Sequence, residues 1–501
     1  MGRTPELTYD RGTLLLHPPP RGKAWIDFAT WDDRVEKFRF PALHYRALVG
    51  ALQRDRAVFN DRAPDFPTAD LMPVAVREPF VHQREALAAW EQSGRRGVVV
   101  LPTGAGKTYF AQLAMQAAGC STMVVVPTID LLHQWYAQLE ATYPGADIGA
   151  LGGGACDRAP ILVATYDSAA IHAESLGNRY GLLVCDECHH LPTEFYRVVA
   201  EYAIAPYRLG LTATPERSDN AHRDLDTLLG PMLYRKSAAE LSGTTLAAHD
   251  IVRISVELSA AERERYDAAI ACRNGFLREA KISLGSLKGW QRFVQIGARS
   301  AAGRRAMLAH REARELALGT DGKLHVLGEL LARHYPERTL IFTNDNATVY
   351  RIAQEFLIPA ITHQTPVKER HAILQAFQAG VYPTIATSRV LNEGVDVPDA
   401  RIAIVLSGTS STREYVQRLG RILRKGSSDR KLALLYELIA ADTSEERIAA
   451  RRRATYDTPQ QLPISPLKPV AVDAASGDRS RLRVAEAKGT YKAEPEFTSE
   501  S

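Results

Sequence analysis

The chain has 501 residues, 45% hydrophobic and 24% charged, with a formal net charge of +4. That length predicts about three domains with real cores. The five cysteines are too few and too scattered for a disulfide framework, and no run approaches the ~18 apolar residues of a membrane span. The near balance of charge also excludes a globally basic coat, so any nucleic-acid surface must be local. With no apolar stretch behind Met1-Gly2-Arg3-Thr4-Pro5-Glu6, the sequence reads as a soluble, cytoplasmic protein of a reducing compartment, with no membrane partner.

Residues 1–75 read as a small α+β module. Leu7-Thr8-Tyr9 and Thr13-Leu14-Leu15-Leu16 flank Asp10-Arg11-Gly12, a hairpin turn signal. Pro18-Pro19-Pro20 closes the second strand, and Phe40-Pro41 leads into Ala42–Leu52, whose apolar residues suit a short amphipathic helix. Pro64-Asp65-Phe66-Pro67 marks a linker. Nothing in this module carries chemistry, so packing or recognition is its expected work.

From residue 76 to 238 apolar strands alternate with helical patterns, the signature of a parallel α/β sheet. Gly97-Val98-Val99-Val100-Leu101 feeds Pro102-Thr103-Gly104-Ala105-Gly106-Lys107-Thr108, and helical spacing follows. Strand, glycine turn, Lys-Thr and helix together make a phosphate-binding loop. Gly104 and Gly106 let successive N–H groups face a phosphate, Lys107 can reach the β- and γ-phosphates, and the Thr108 hydroxyl can hold Mg²⁺. Leu101 stands where many such loops carry a first glycine.

Further apolar runs end in polar residues: Thr122–Val126 before Pro127-Thr128, Ile161–Ala164 before Thr165, Gly181–Cys185 before Asp186-Glu187, and Leu209–Leu211 before Thr212-Ala213-Thr214. Ligands of such sheets gather at the carboxyl ends of strands. A phosphate loop needs a Mg²⁺-holding acid and a group that orients the attacking water. Asp186 is assigned the first role and Glu187 the second. One rival reading is literal: Cys185-Asp186-Glu187-Cys188-His189 matches the C-x-x-C-H haem pattern, and His190 adds a ligand for a metal. Cys185 ends a buried strand, and a structural zinc would want a second ligand pair at matching spacing, so both cysteines read as packing residues.

The stretch 239–320 reads as a helical, basic insertion. Between Arg278 and Arg314 there are nine Lys or Arg against two Glu, with Trp290 and Phe293 interleaved. Such a run is either a solvated helical face or an arm on a phosphate backbone. The α/β pattern resumes over 321–455 as a second sheet, and 456–501 reads as a disordered tail. In that second region Gln417-Arg418-Leu419-Gly420-Arg421-Ile422-Leu423-Arg424 puts Arg421 and Arg424 on one helical face. Two guanidinium groups there are either arginine fingers for a γ-phosphate or part of a salt-bridged surface helix.

Thr103–Thr108, Asp186–His189, Thr212-Ala213-Thr214 and Gln417–Arg424 resemble, in order and spacing, the motifs of superfamily 2 helicases. Val163–Ala169, His189-His190-Leu191-Pro192 and Leu211–Arg217 resemble more narrowly the XPB helicases of nucleotide excision repair, in their short archaeal or bacterial form. Tyr9–Thr13 and Leu43-His44-Tyr45-Arg46 resemble that family's damage-recognition domain.

The resemblance implies two RecA-like parallel-sheet motor domains, ATP and Mg²⁺ as cofactors, and DNA at single-strand/duplex junctions as substrate, opened with 3′→5′ polarity. It implies adenine contact by Gln83, although Phe80-Val81-His82 replaces the usual Arg-x-Tyr before it. It implies coupling of nucleotide state to closure by His189, Thr212, Ala213, Thr214 and Gln417, and nucleotide contact at Gly394 and Asp396. Strand contacts are implied at Thr128, Thr165, Asn344 and Thr387. The family's Arg-Glu-Asp element reads here as Arg217-Ser218-Asp219, without its central acid. The basic stretch lies near where the family carries a thumb-like arm. An RNA motor, a duplex translocase and a nucleotide-gated scaffold that recruits a nuclease remain the alternative readings.

Overall fold

In a computed structural model, the structure describes residues 4–447 and 449 apart from 21, 76, 218, 242–247, 285–286, 389–399, 408–431 and 448. These residues fall into two compact units that divide at Ala248/His249.

The first unit opens with β1 (Glu6–Asp10), β2 (Thr13–His17), β3 (Thr30–Asp32), β4 (Lys37–Pro41) and β5 (Asn60–Asp61), in the order β3-β4-β2-β1-β5. Arg11 and Gly12 both take positive φ, 47° and 83°, which is the primed turn that a two-residue hairpin requires. Leu7, Leu14, Leu16 and Phe40 bury one face of this sheet against Leu48, Ala51 and Leu52 of α1 (Tyr45–Arg54).

This small module is seated on the rest of its unit. The Tyr9 hydroxyl donates to the Tyr202 carbonyl at 3.0 Å, Asn178 Nδ2 donates to the Ala63 carbonyl at 3.0 Å, and Ile204 completes the module's core. A Cβ at Gly12 would come within 2.4 Å of the Tyr202 ring, so the turn glycine also permits the close approach.

The second sheet contains β6 (Arg96–Val100), β7 (Thr122–Val126), β8 (Ile148–Gly152), β9 (Ala155–Cys156), β10 (Ile161–Thr165), β11 (Leu182–Asp186), β12 (Tyr207–Thr212) and β13 (Met232–Arg235). Its order is β13-β6-β12-β11-β7-β10-β8-β9, with every pairing parallel except β8 with β9. The central strands are buried along their whole length, as strands covered on both faces must be. This is the RecA-like arrangement, and it brings the carboxyl ends of β6, β7, β10, β11 and β12 to one edge.

The second unit holds a sheet of β14 (Ala248–Val256), β15 (Thr339–Phe342), β16 (Ala360–Ile361), β17 (Thr384–Thr387), β18 (Ile402–Val405) and β19 (Leu432–Ala440). Its order is β14-β19-β18-β15-β17-β16. β14 comes from the stretch read as a helical insertion, so the sheet draws its edge strand from there. The remainder of that stretch forms helices Ala260–Glu279, Leu287–Gly297 and Ala301–Leu318. Phe293, read as interleaved with the basic residues, is 1% exposed and packs with Leu277, Ile282 and Ala306; it is a core residue. Arg278, Lys281, Lys288, Arg292, Arg299, Arg304, Arg305, Arg311 and Arg314 are all exposed.

Candidate active site

The phosphate loop leaves β6 and is anchored to its neighbour, the Leu101 N–H donating to the Thr212 carbonyl at 3.0 Å. Gly104 and Gly106 take φ of 88° and 79°, a conformation that disfavours any side chain. α3 (Lys107–Ala118) starts directly after, with Gly106 as an N-cap that offers no side-chain acceptor to its first N–H groups. A helix N-terminus left in that condition draws an anion. The Thr103 hydroxyl is buried beside it without a hydrogen-bond partner. An orphaned polar atom, a left-handed glycine turn and a bare helix N-terminus fit a phosphate chain.

α2 (Val81–Gln92) braces this loop. Gln83 Oε1 accepts the Phe80 N–H at 3.0 Å, while Nε2 donates to the Gly106 carbonyl at 3.1 Å. His82 Nε2 donates to the Ala105 carbonyl at 2.9 Å; a carbonyl only accepts, so that nitrogen carries the proton. His82 is 4% exposed and is a loop contact that sequence reasoning missed. Its one signal was its place beside Gln83, where the resemblance expects a tyrosine.

Lys107 Nζ lies 3.2 Å from Glu187 Oε1. Glu187 follows β11 at a φ of 47°, which turns its side chain back towards the loop. Burial alone would raise its pKa, but the Lys107 ammonium, with His189 adding, outweighs burial and holds it down at about 2. Asp186 goes the other way. Burial, reinforced by the Glu187 charge, pushes it up to about 6 against the pull of Lys107. The two adjacent carboxylates are thus set apart: Glu187 is held firmly ionised by its cationic neighbours, and burial makes Asp186 the weaker acid of the two.

Thr212, at the end of β12, stands between these groups. Its hydroxyl lies 3.3 Å from Glu187 Oε2, 3.1 Å from His189 Nδ1 and 3.2 Å from the Thr214 carbonyl, while accepting the Thr214 N–H at 3.2 Å. A hydroxyl has one proton, so it can serve only one of the Glu187 carboxylate, the Thr214 carbonyl and, when that nitrogen is unprotonated, His189 Nδ1. Ala213 is buried between the two threonines. Arg217 Nη1 donates to the His189 carbonyl at 2.7 Å and pairs with Asp219 at 2.7 Å, so this arginine ties the altered Arg-Ser-Asp element to His189.

Two of the expected strand contacts, Thr128 and Thr165, sit at this same carboxyl edge. Thr128 caps α4 (Ile129–Thr142) through the Leu131 N–H, and Thr165 caps α5 (Tyr166–Ile171) through the Ser168 N–H. In the second unit the Asn344 N–H, in the loop after β15, donates to Ser407 Oγ at 2.7 Å, and Thr387 ends β17 fully buried. Gly394, Asp396, Gln417, Arg421 and Arg424, with Ser218, lie outside the described residues. Cys185 and Cys188 are fully buried in the sheet core, and burial pushes the Cys185 thiol up to about 12, which suits packing and not haem attachment. Among the described residues no helix is long and apolar enough to cross a membrane.

Three family models match the chain. Residues 7–63 match the Xeroderma pigmentosum group B helicase damage recognition domain, 77–217 match the Type III restriction enzyme res subunit, and 322–426 match the helicase conserved C-terminal domain. The DNA 3′-5′ translocase XPB2 of Sulfurisphaera tokodaii is 43% identical over 447 residues, 89% of this chain and 99% of that one. The DNA 3′-5′ helicase XPB of Mycobacterium tuberculosis is 30% identical over 373 residues, 72% of this chain and 60% of that one. Among solved structures, the Pyrococcus furiosus Hef helicase domain shares the fold at a TM-score of 0.54 and 18% identity, covering 74% of this chain and 98% of its own. A phosphate loop whose lysine pairs with a buried acid, carried behind a module that matches a damage-recognition domain and matched along nearly all of a short relative, leaves one assignment: the chain belongs to the XPB helicase family.

Proposed function

We propose that this chain is an ATP-driven DNA motor that opens duplex DNA with 3′→5′ polarity in the service of excision repair. The observation that carries the reading is the linkage of Lys107, Glu187, His189 and Thr212 at one sheet edge, in a chain whose first module matches a damage-recognition domain.

The loop at Thr103–Thr108 would cradle the ATP phosphates, with Gln83 on the adenine. The Thr108 hydroxyl and the Asp186 carboxylate would hold Mg²⁺, which supplies neutralising charge at the β- and γ-oxygens. A γ-phosphate competes with Glu187 for the Lys107 ammonium. Glu187, once released, takes the proton of the attacking water. The Thr212 hydroxyl can turn from Glu187 to the Thr214 carbonyl as that happens, a local switch in the segment that the resemblance names as the coupling element. Arg421 and Arg424 are proposed to add positive charge at the γ-phosphate, with Gly394 and Asp396 beside the nucleotide and Gln417 in coupling. Thr128, Thr165, Asn344 and Thr387 are proposed on the tracked strand, with Arg217 and Asp219 near the point of strand separation. The exposed arginines and lysines of 278–314 form the local basic surface that a phosphate backbone requires.

A second reading is favoured by the Sulfurisphaera relative, whose name says translocase and not helicase: movement along duplex DNA without strand separation. Strand displacement from a 3′-tailed junction, run beside displacement of a third strand from an intact duplex, separates the two. If the chain instead served as a scaffold recruiting a nuclease, Lys107→Ala would leave repair intact, whereas a motor loses it.

A further inference from the structure

Two aromatic side chains tie the metal-holding aspartate to the helices that follow β7 and β10. Trp135 lies in α4, seven residues and about 10 Å beyond the Thr128 cap. It is 1% exposed, and its indole Nε1 donates to Asp186 Oδ2 at 2.9 Å. Tyr166 opens α5 directly after the Thr165 cap, and its hydroxyl donates to the Asp186 carbonyl at 3.0 Å. The other carboxylate oxygen, Oδ1, accepts the Glu187 N–H at 3.0 Å.

A buried indole N–H usually finds an acceptor, and a backbone carbonyl suffices: Trp90 uses that of Arg208, at 2.9 Å. Trp135 uses an ionisable side chain instead, and a bond to a carboxylate is stronger and more directional than one to a carbonyl. One oxygen of Asp186 is therefore fixed by its own strand and the other by a separate helix. Because interiors are close-packed, α4 cannot slide or turn without carrying that oxygen or breaking the bond.

We infer that Trp135, with Tyr166 beside it, is a positioning residue that aims Asp186 at the cation and passes strand engagement at the Thr128 end of α4 to that carboxylate. The second half rests on the motor reading; the first does not. Trp135→Phe keeps an aromatic ring and removes only the donor.

The test titrates Mg²⁺ against binding of a fluorescent ADP to the full chain, with and without oligo(dT), and measures oligo(dT) affinity separately without nucleotide. In the wild type, oligo(dT) shifts the Mg²⁺ midpoint. In Trp135→Phe the midpoint rises about ten- to a hundredfold, the size expected for one lost hydrogen bond to a charged group. The oligo(dT) shift disappears while oligo(dT) affinity stays within about twofold, a pattern that mere loosening of the fold would not give. A wild-type midpoint and shift in Trp135→Phe overturn the inference. Should that variant fail to fold, Tyr166→Phe decides: a reduced shift supports the inference and an unchanged one overturns it. A wild-type chain that binds oligo(dT) without any shift overturns the transmission. One that does not bind oligo(dT) at all contradicts the motor reading, and the Mg²⁺ midpoint then still judges the positioning.

Discussion

Lys107 Nζ and Glu187 Oε1 lie 3.2 Å apart, with both side chains only 11% exposed, so the proposed phosphate ligand and the proposed base neutralise each other. The pair makes the two residues separable by experiment. Lys107→Ala removes the phosphate partner, so both nucleotide affinity and turnover fall. Glu187→Gln releases Lys107 to the phosphates, so affinity holds or tightens while ATP turnover drops about 10²- to 10⁴-fold. Fluorescent-nucleotide titration beside steady-state ATPase checks both. Normal turnover in either variant contradicts the assignment.

Asp186 gives a pH prediction with a definite sign. Its carboxyl is raised from 3.8 to about 6 by burial and the neighbouring Glu187, so the folded state holds its proton more tightly than the unfolded chain. Its contribution is present below pH ~4 and is lost as pH rises through about 6. Asp186→Asn is spared that loss. In metal-free buffer the thermal midpoint of the variant, relative to wild type, should climb between pH 4 and 7 and then level off, while its ATPase is abolished. A relative midpoint that falls over that range refutes the account.

Among the described residues, Arg208 is a buried cation with no carboxylate in its bonds. Nε and the two Nη atoms donate to the carbonyls of Ala205, Ala200, Leu228 and Ala203 at 2.6–3.2 Å, and burial pulls its pKa down to about 9. It gathers the loop that carries Tyr202 and Ile204, on which the first module is seated. Arg208→Met orphans those acceptors and should cost about 3 kcal/mol or more in denaturant unfolding. A loss below about 1 kcal/mol would show that the carbonyls find other donors.

The exposed basic residues at 292, 299 and 305 predict a salt-dependent grip. Reversing all three to Glu should weaken oligo(dT) binding and reduce the slope of log affinity against log salt by roughly 0.7 for each phosphate no longer neutralised. An unchanged slope returns the helices to an ordinary solvated surface.

What could be read from the sequence was what is local in it. The glycine turn, Lys107-Thr108 and the acid pair after an apolar strand are contiguous patterns whose geometry follows from a few residues, and the hairpin at Arg11-Gly12 is of the same kind. Distance in the chain hid the rest. His82 reaches Ala105 across 23 residues, Trp135 reaches Asp186 across 51, and Tyr9 reaches Tyr202 across 193. In each case the sequence shows an aromatic or imidazole ring at a helical or strand position, where burial is the ordinary expectation, and only tertiary packing selects its acceptor. Phe293 shows the opposite failure, since its basic neighbours disguised a core residue. β14 was lost among helical residues because an edge strand carries little pattern of its own.

The central claim is that hydrolysis at Lys107 and Glu187 is driven by engagement with DNA. The most direct measurement is the ATPase rate of the full chain alone, and with single-stranded DNA, duplex DNA and RNA in turn. The account predicts a low basal rate, strong stimulation by DNA, little by RNA, and loss of all of it in Glu187→Gln. Equal rates with and without DNA, or stimulation by RNA alone, would contradict it.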